Sequence, residues 1–310
     1  MGSKRNLYSY KVRRSSISFY LREGVSIYGG FSGSESTLGE RDVRNNKTIL
    51  SGNIGNQDDQ TDNSYHVLVG ANDSLVDGFV ISDGYANGDV IYQQKGGGLL
   101  NYQGGKTGNF GEYVGFSTAI QNSTFENNYA REGGAVYNYS NSPQFSTVTF
   151  SNNSAIYGGA VVDRVGVDSK LENCTFENNK AEFMGGALYL DYGARPILEA
   201  STFNSNEAGS NGGAIYTVTR ASQVENTDVV LNSAQFTSNK AGYRGGAVYN
   251  FDQSLMEISN STFTKNTAEA GGAIATDYRA ETTLTDCSFD PEGSEGNNDL
   301  TTDDTGMIHQ

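Results

Sequence analysis

The sequence predicts an all-β chain wound as a single right-handed parallel β-helix, a solenoid, and three observations carry that reading. Two short patterns alternate along the chain from residue 120 onward, and the starts of one of them lie 25, 27, 27, 33 and 26 residues apart. Within each pattern apolar residues recur at every second position, the period of a strand, rather than every third or fourth. The composition is equally unlike a helical or α/β enzyme: 39 Gly, 19 Tyr, 3 Pro and no Trp in 310 residues. With 18% charged residues it is neither collagen-like nor disordered by charge.

The first pattern opens on Phe125, Phe150, Phe176, Phe203, Phe236 and Phe263. Asn follows three residues later (Asn128, Asn153, Asn179, Asn206, Asn239, Asn266) and Ala five residues later, from Ala130 to Ala268. Alternation turns each Phe inward, together with a small residue two places earlier (Ser123, Val148, Cys174, Ser201, Ala234, Ser261, Cys287), and turns Thr124, Thr149, Thr175, Thr202 and Thr262 outward. The second pattern is Gly-Gly-Ala plus an aliphatic residue, beginning at Gly133, Gly158, Gly185, Gly212, Gly245 and Gly271. Its aliphatic residues (Val136, Val161, Leu188, Ile215, Val248, Ile274) point inward.

One such coil cannot bury its own apolar face, whereas copies stacked about 4.8 Å apart make parallel sheets around a continuous core. The Asn belongs at a corner, where its side chain can bond backbone groups and the Asn of neighbouring coils. The double Gly suits a corner with positive φ or close backbone approach. Cys174 and Cys287 then share an inward row four coils apart, roughly 19 Å, and are expected to remain separate thiols because a disulfide needs Cα atoms within about 7 Å.

Residues 1–112 read as a capping segment with irregular coils, in which Val25–Phe31, Thr48–Gly52, Tyr65–Val69 and Leu75–Ile81 are strand runs. Residues 113–290 are the regular coils, and 291–310 read as an acidic tail or linker. The chain begins with six cations and no acid in its first 22 residues (Lys4, Arg5, Lys11, Arg13, Arg14, Arg22) and has no cation after Arg279. No stretch has the apolar length of a membrane-spanning helix, and a net charge of −15 argues against nucleic-acid binding.

Phe-x-x-Asn alternating with Gly-Gly-Ala-(Ile/Leu/Val) over residues 122–276 resembles the repeat pair of the chlamydial polymorphic outer-membrane proteins. Tyr28-Gly-Gly-Phe31-Ser-Gly-Ser-Glu35 with Arg41-Asp42 is similar to the opening coils of large bacterial surface β-helix proteins. The resemblance implies a bacterial β-helix, secreted or at the cell surface, used in adhesion. Its signal and anchor are then expected outside this chain, as part of a larger protein. The architecture it implies is pectate-lyase-like.

Reactive chemistry is sparsely supported. His66 lies in an apolar strand pattern and reads as structural, and no Cys–His metal spacing exists. Gly104-Gly-Lys-Thr107 lacks the first Gly of a phosphate loop, since Leu100 stands there. Because β-helices also carry polysaccharide lyases and hydrolases, the charged residues after the Gly-Gly-Ala strands are the catalytic candidates: Asp163, Arg164, Asp191, Arg195 and Arg220, with Asp252, Asp277 and Arg279 on the same side. No cofactor is expected, with Ca²⁺ binding by clustered Asp left open.

Binding has a clearer handle. Tyr137, Tyr189, Tyr216 and Tyr249 follow each first Gly by four residues, so alternation places them outside as an aromatic stripe for sugar faces or a surface protein. The outward Thr residues form a second face, broken by Ala200, Ser233 and Gln235 and so too irregular to order water. The leading expectation is a non-catalytic extracellular or cell-surface β-helix presenting repetitive faces. The alternatives are a polysaccharide lyase or glycoside hydrolase, and a subunit whose oppositely charged ends drive end-to-end self-association.

Overall fold

The computed structural model describes residues 14–102, 116–220, 226–289 and 300–310. Most of the basic start, the Gly104–Thr107 motif and residues 290–299 lie outside the described residues. Among the described residues the chain winds through about nine turns of an all-parallel solenoid, with only four short 3₁₀ turns as helix.

Most of the regular coils contribute four short strands. In one coil they are Val136–Tyr139, Gln144–Ser146, Thr149–Ser151 and Ser154–Tyr157. Stacking each on its counterparts gives four sheets among the described residues. The first runs from Phe19–Tyr20 to Leu300–Thr302, the second from Ser26–Tyr28 to Met307–His309, the third from Thr48–Ser51 to Ser288–Phe289, and the fourth from Tyr85–Ala86 to Lys240–Ala241.

Registers match the sequence pattern residue by residue. Phe125, Phe150, Phe176, Phe203, Phe236, Phe263 and Phe289 pair in one file along the third sheet. Their rings stack with centroids 4.7–5.4 Å apart and planes within 10°. That separation is the strand spacing itself, so ring stacking costs the backbone nothing. The aliphatic file from Leu68 through Leu99, Val136, Val161, Leu188, Ile215 and Val248 to Ile274 faces it from the first sheet, fully buried.

A third inward file, Ile120, Phe145, Leu171, Leu198, Leu231, Ile258 and Leu284, fills the second sheet. It always lies five residues before the Phe position, a spacing present in the sequence and not used above. Cys174 is buried and free and Cys287 half-buried and free, as their row requires; burial pushes the Cys174 thiol up to about 12.

The corners explain the polar half of the repeat. Each Asn amide donates to the next Asn side-chain oxygen at 2.9–3.1 Å, from Asn128 through Asn153, Asn179, Asn206 and Asn239 to Asn266. The same amides donate to Phe carbonyls of the preceding coil, for example Asn179 to Phe150 at 2.9 Å, while backbone N–H groups donate to the Asn oxygens. Buried amides are thereby satisfied on both ends. At the Gly-Gly corner the two glycines differ: Gly133 and its equivalents take φ of 63–68°. The second Gly, such as Gly186, has no room for a Cβ against the Gly213 carbonyl of the next coil.

Two segments depart from expectation. Ile81, Gly84 and Ala86 stand in the Phe, Asn and Ala files, and Gly96-Gly-Gly-Leu99 stands in the Gly-Gly-Ala file, so this stretch is a further regular coil. The expected tail instead supplies strands Leu300–Thr302 and Met307–His309, paired to the first and second sheets. The extra length of the 33-residue spacing falls between strands Ile215–Val218 and Asp228–Asn232.

Phe203→Ala is expected to cost about 3–5 kcal/mol, because the cavity opens onto both neighbouring rings; urea denaturation checks it. Asn179→Ala should also destabilise, by leaving buried backbone groups of two coils without partners.

Candidate functional site

Tyr137, Tyr189, Tyr216 and Tyr249 do leave the sheet on the face opposite the core, in register. Their rings are nonetheless buried, with exposures from 1% at Tyr137 to 6% at Tyr249, so the expected outer aromatic stripe is corrected to an inner seam. The cause lies one residue before each Gly-Gly turn. Lys95, Glu132, Tyr157, Met184, Asn211 and Arg244 form their own bridged file, and the positive-φ Gly folds that file back beside the tyrosines. Tyr157 and Met184 pack directly on the cluster.

Charge completes the cover. The Lys95 ammonium lies 4.1 Å from the Tyr137 ring centre and donates to its hydroxyl at 3.0 Å and to Glu132 at 2.7 Å. Arg164 bridges Glu132 at 2.9 Å and holds Asp191 through Nε and Nη2 at 2.8 Å each. Arg220 donates to the Tyr189 hydroxyl at 2.5 Å. Burial foremost raises the Tyr137, Tyr189, Tyr216 and Tyr249 hydroxyls above their ordinary value, so they stay protonated donors. Burial opposes the charge on Arg164, but the Asp191 hydrogen bonds and the Glu132 field outweigh it and hold the guanidinium charged.

Of the five catalytic candidates, Arg164, Asp191 and Arg220 come together along the seam, and Asp163 and Arg195 lie apart from them. Asp163 faces the interior, 1% exposed, where Asn138 donates to it at 2.7 Å and Ser169 at 2.5 Å. Burial pushes its carboxyl up to about 6. Arg164 and Asp191 neutralise one another in the seam, and Arg220 lies over Tyr189. Arg195 pairs with Asp168 at 2.9 Å on the surface. Asp252 accepts the Arg220 backbone N–H, Asp277 pairs with Arg244, and the Arg279 N–H donates to Thr305. His66 is buried with its Nδ1 bonded to the Gly96 carbonyl, and burial lowers it to about 4, a structural histidine. Among the described residues no three His, Cys, Asp or Glu gather to hold a metal ion.

An open site lies elsewhere, on the outer face of the third sheet. The loop between strands Ser26–Tyr28 and Thr48–Ser51 is latched by Arg41, which donates to the carbonyls of Leu38 and Gly29 and to Asp77 at 2.9 Å, beneath the rings of Tyr28 and Phe31. The latch seats Val43 against Gly30 and Gly78. The loop thus walls a cleft of about 500 Å³, in which Arg44 and Lys47 face a floor of Thr124, Thr149, Glu126, Ser151 and Glu177. The sequence showed the Thr file but not the wall, since nothing local ties residues 41–47 to Asp77.

The family model described as right-handed β-helix region matches residues 111–289. The chain belongs to that family. Comparison with curated proteins and with solved structures gives no match. The handedness agrees with the right-handed crossover expected of parallel strands. Among the described residues of this β-helix no helix is long and apolar enough to cross a membrane.

Removing Arg164 from the β-helix leaves Asp191 buried without its ion-pair partner, while Glu132 keeps Lys95. Arg164→Ala is expected to cost about 3–5 kcal/mol, and adding Asp191→Leu should recover part of it, because Val218 fills that file one coil on. Asp163 is a raised carboxyl, so its contribution to stability is complete below the unfolded value near 4 and is lost as pH rises through about 6. Denaturation at pH 4, 5, 6 and 7 should show Asp163→Asn gaining about 3 kcal/mol on the wild type across that range.

Proposed function

We propose that this β-helix is a non-catalytic scaffold displayed outside a bacterial cell, adhesin-like or structural, whose work is to present repetitive faces to a glycan or a surface protein. One contrast carries the reading. Arg164, Asp191, Arg220 and the four tyrosines are consumed along the seam and Asp163 inside the core, whereas the outer face of the third sheet carries rows of polar side chains, most of them half-buried or exposed.

The clearest row is Thr124, Thr149, Thr175, Thr202, Gln235 and Thr262, held at strand spacing on the third sheet. Beside it runs Glu126, Ser151, Glu177, Asn204, Thr237 and Thr264. A rigid, evenly spaced array suits weak contacts made many times over, which is how a long partner is held. The repeat pair resembles that of chlamydial surface proteins, and this supports the same placement.

The test offers the purified chain a glycan array and cell-surface extracts, and in parallel uronate polymers with Ca²⁺. Capture of surface material with neither unsaturated sugar ends nor reducing ends released is the expected outcome. Release of either product would replace this reading with a lyase or a hydrolase, and silence on all surfaces would remove the adhesive role.

A further inference from the structure

The cleft beside the third sheet is electrically lopsided along the solenoid axis. Arg44 and Lys47 are exposed and form no salt bridge with a described carboxylate. Lys47 immediately precedes Thr48–Ser51, and the register places that strand two coils before Thr124 and four before Glu177. Glu126 and Glu177 stand in one file with Ser151 between them, about 9.5 Å apart by strand spacing, and neither meets a described cation. The cleft is therefore positive at its walled end and negative toward the open sheet.

Its floor is built for hydroxyl groups. Thr124, Thr147 and Thr149 line it with side-chain oxygens that make no hydrogen bond to described residues, and Asn122 stands beside them. These groups repeat once per coil, at about 4.8 Å, close to the advance of one sugar in an extended pyranose chain. A linear oligosaccharide lying parallel to the solenoid axis can thus set one sugar over each coil.

Resting on the surface-binding reading above, we infer that this cleft binds a linear oligosaccharide carrying a single acidic sugar at one end. The terminal carboxylate is held by Arg44 and Lys47, and the neutral sugars run over Thr124 and Thr149 toward Glu177. Charge decides the class. A carboxylate gains charge-assisted hydrogen bonds at the walled end, while a polyanion would carry further charges past Glu126 and Glu177 on a protein of net charge −15. Sugar hydroxyls donate to those two carboxylates without repulsion.

Isothermal titration at low salt tests it with three probes: an oligosaccharide capped by N-acetylneuraminic acid, the same oligosaccharide without the cap, and polygalacturonate. The capped probe should bind about tenfold or more tightly than the uncapped one, weaken as salt is added, and outbind polygalacturonate. Arg44→Ala with Lys47→Ala, both exposed and outside the core, should erase the preference for the cap while leaving the circular dichroism spectrum unchanged. Thr149→Arg, which fills the floor, should abolish binding of either short probe. Equal binding of capped and uncapped probes, wild-type affinity in the Arg44/Lys47 double variant, or no heat with the capped probe at millimolar concentration would overturn the assignment. Surface capture that persists under those results would leave the scaffold reading standing, whereas loss of both would remove the two together.

Discussion

Each coil of this solenoid sits one strand spacing above the coil before it, in register but for a shift between Ala155 and Tyr157, and that constraint governs almost everything else. Whatever occupies a position in one coil must tolerate a copy of itself about 4.8 Å away. Phe tolerates it by ring stacking, Asn by passing one amide proton to the next oxygen, and Gly by letting backbone approach backbone. The repeat is the set of residues that satisfy their own neighbours. Its stability is accordingly a sum of near-identical interfaces between coils, each sharing core with the next.

Charge obeys the same constraint with the opposite sign, since a carboxylate cannot comfortably stack on a carboxylate. Along the tyrosine seam the chain answers by alternation: Lys95, then Glu132, then Arg164, then Asp191. Inside the core, Asp163 is admitted because Asn138 and Ser169 donate to it and Leu190 follows it in the file. Burial of a carboxylate in that position ties the fold to pH. In the cleft, by contrast, Glu126 and Glu177 are kept apart by Ser151 and have no cation of their own.

The files of Phe, Asn and Gly-Gly-Ala were legible because each is a periodic choice of residue type with a local reason. The second-sheet file was equally periodic, at five residues before each Phe, yet Phe145, Leu171 and Ile258 differ enough in type to pass unnoticed. The coil from Ile81 to Leu99 escaped because Ile81 and Gly84 replace the Phe and Asn of the first pattern, and Gly98 the Ala of Gly-Gly-Ala, in files whose geometry accepts them. Met307–His309 hid behind an acidic composition, although parallel pairing to Glu281–Thr283 needs only backbone groups.

Alternation along a strand, read from the sequence alone, determined which face of the ribbon each residue takes, and for the tyrosines it was right about the face. Only the tertiary structure decided whether that face meets water. Glu132, Tyr157 and Met184 are brought over the rings by a turn whose direction depends on positive φ at Gly133 and its equivalents, and the cleft wall is brought to the Thr face by Arg41 reaching Asp77 across 36 residues of chain. Periodicity reports the direction of a side chain from its own strand; exposure depends on what another segment, distant in sequence, lays against it.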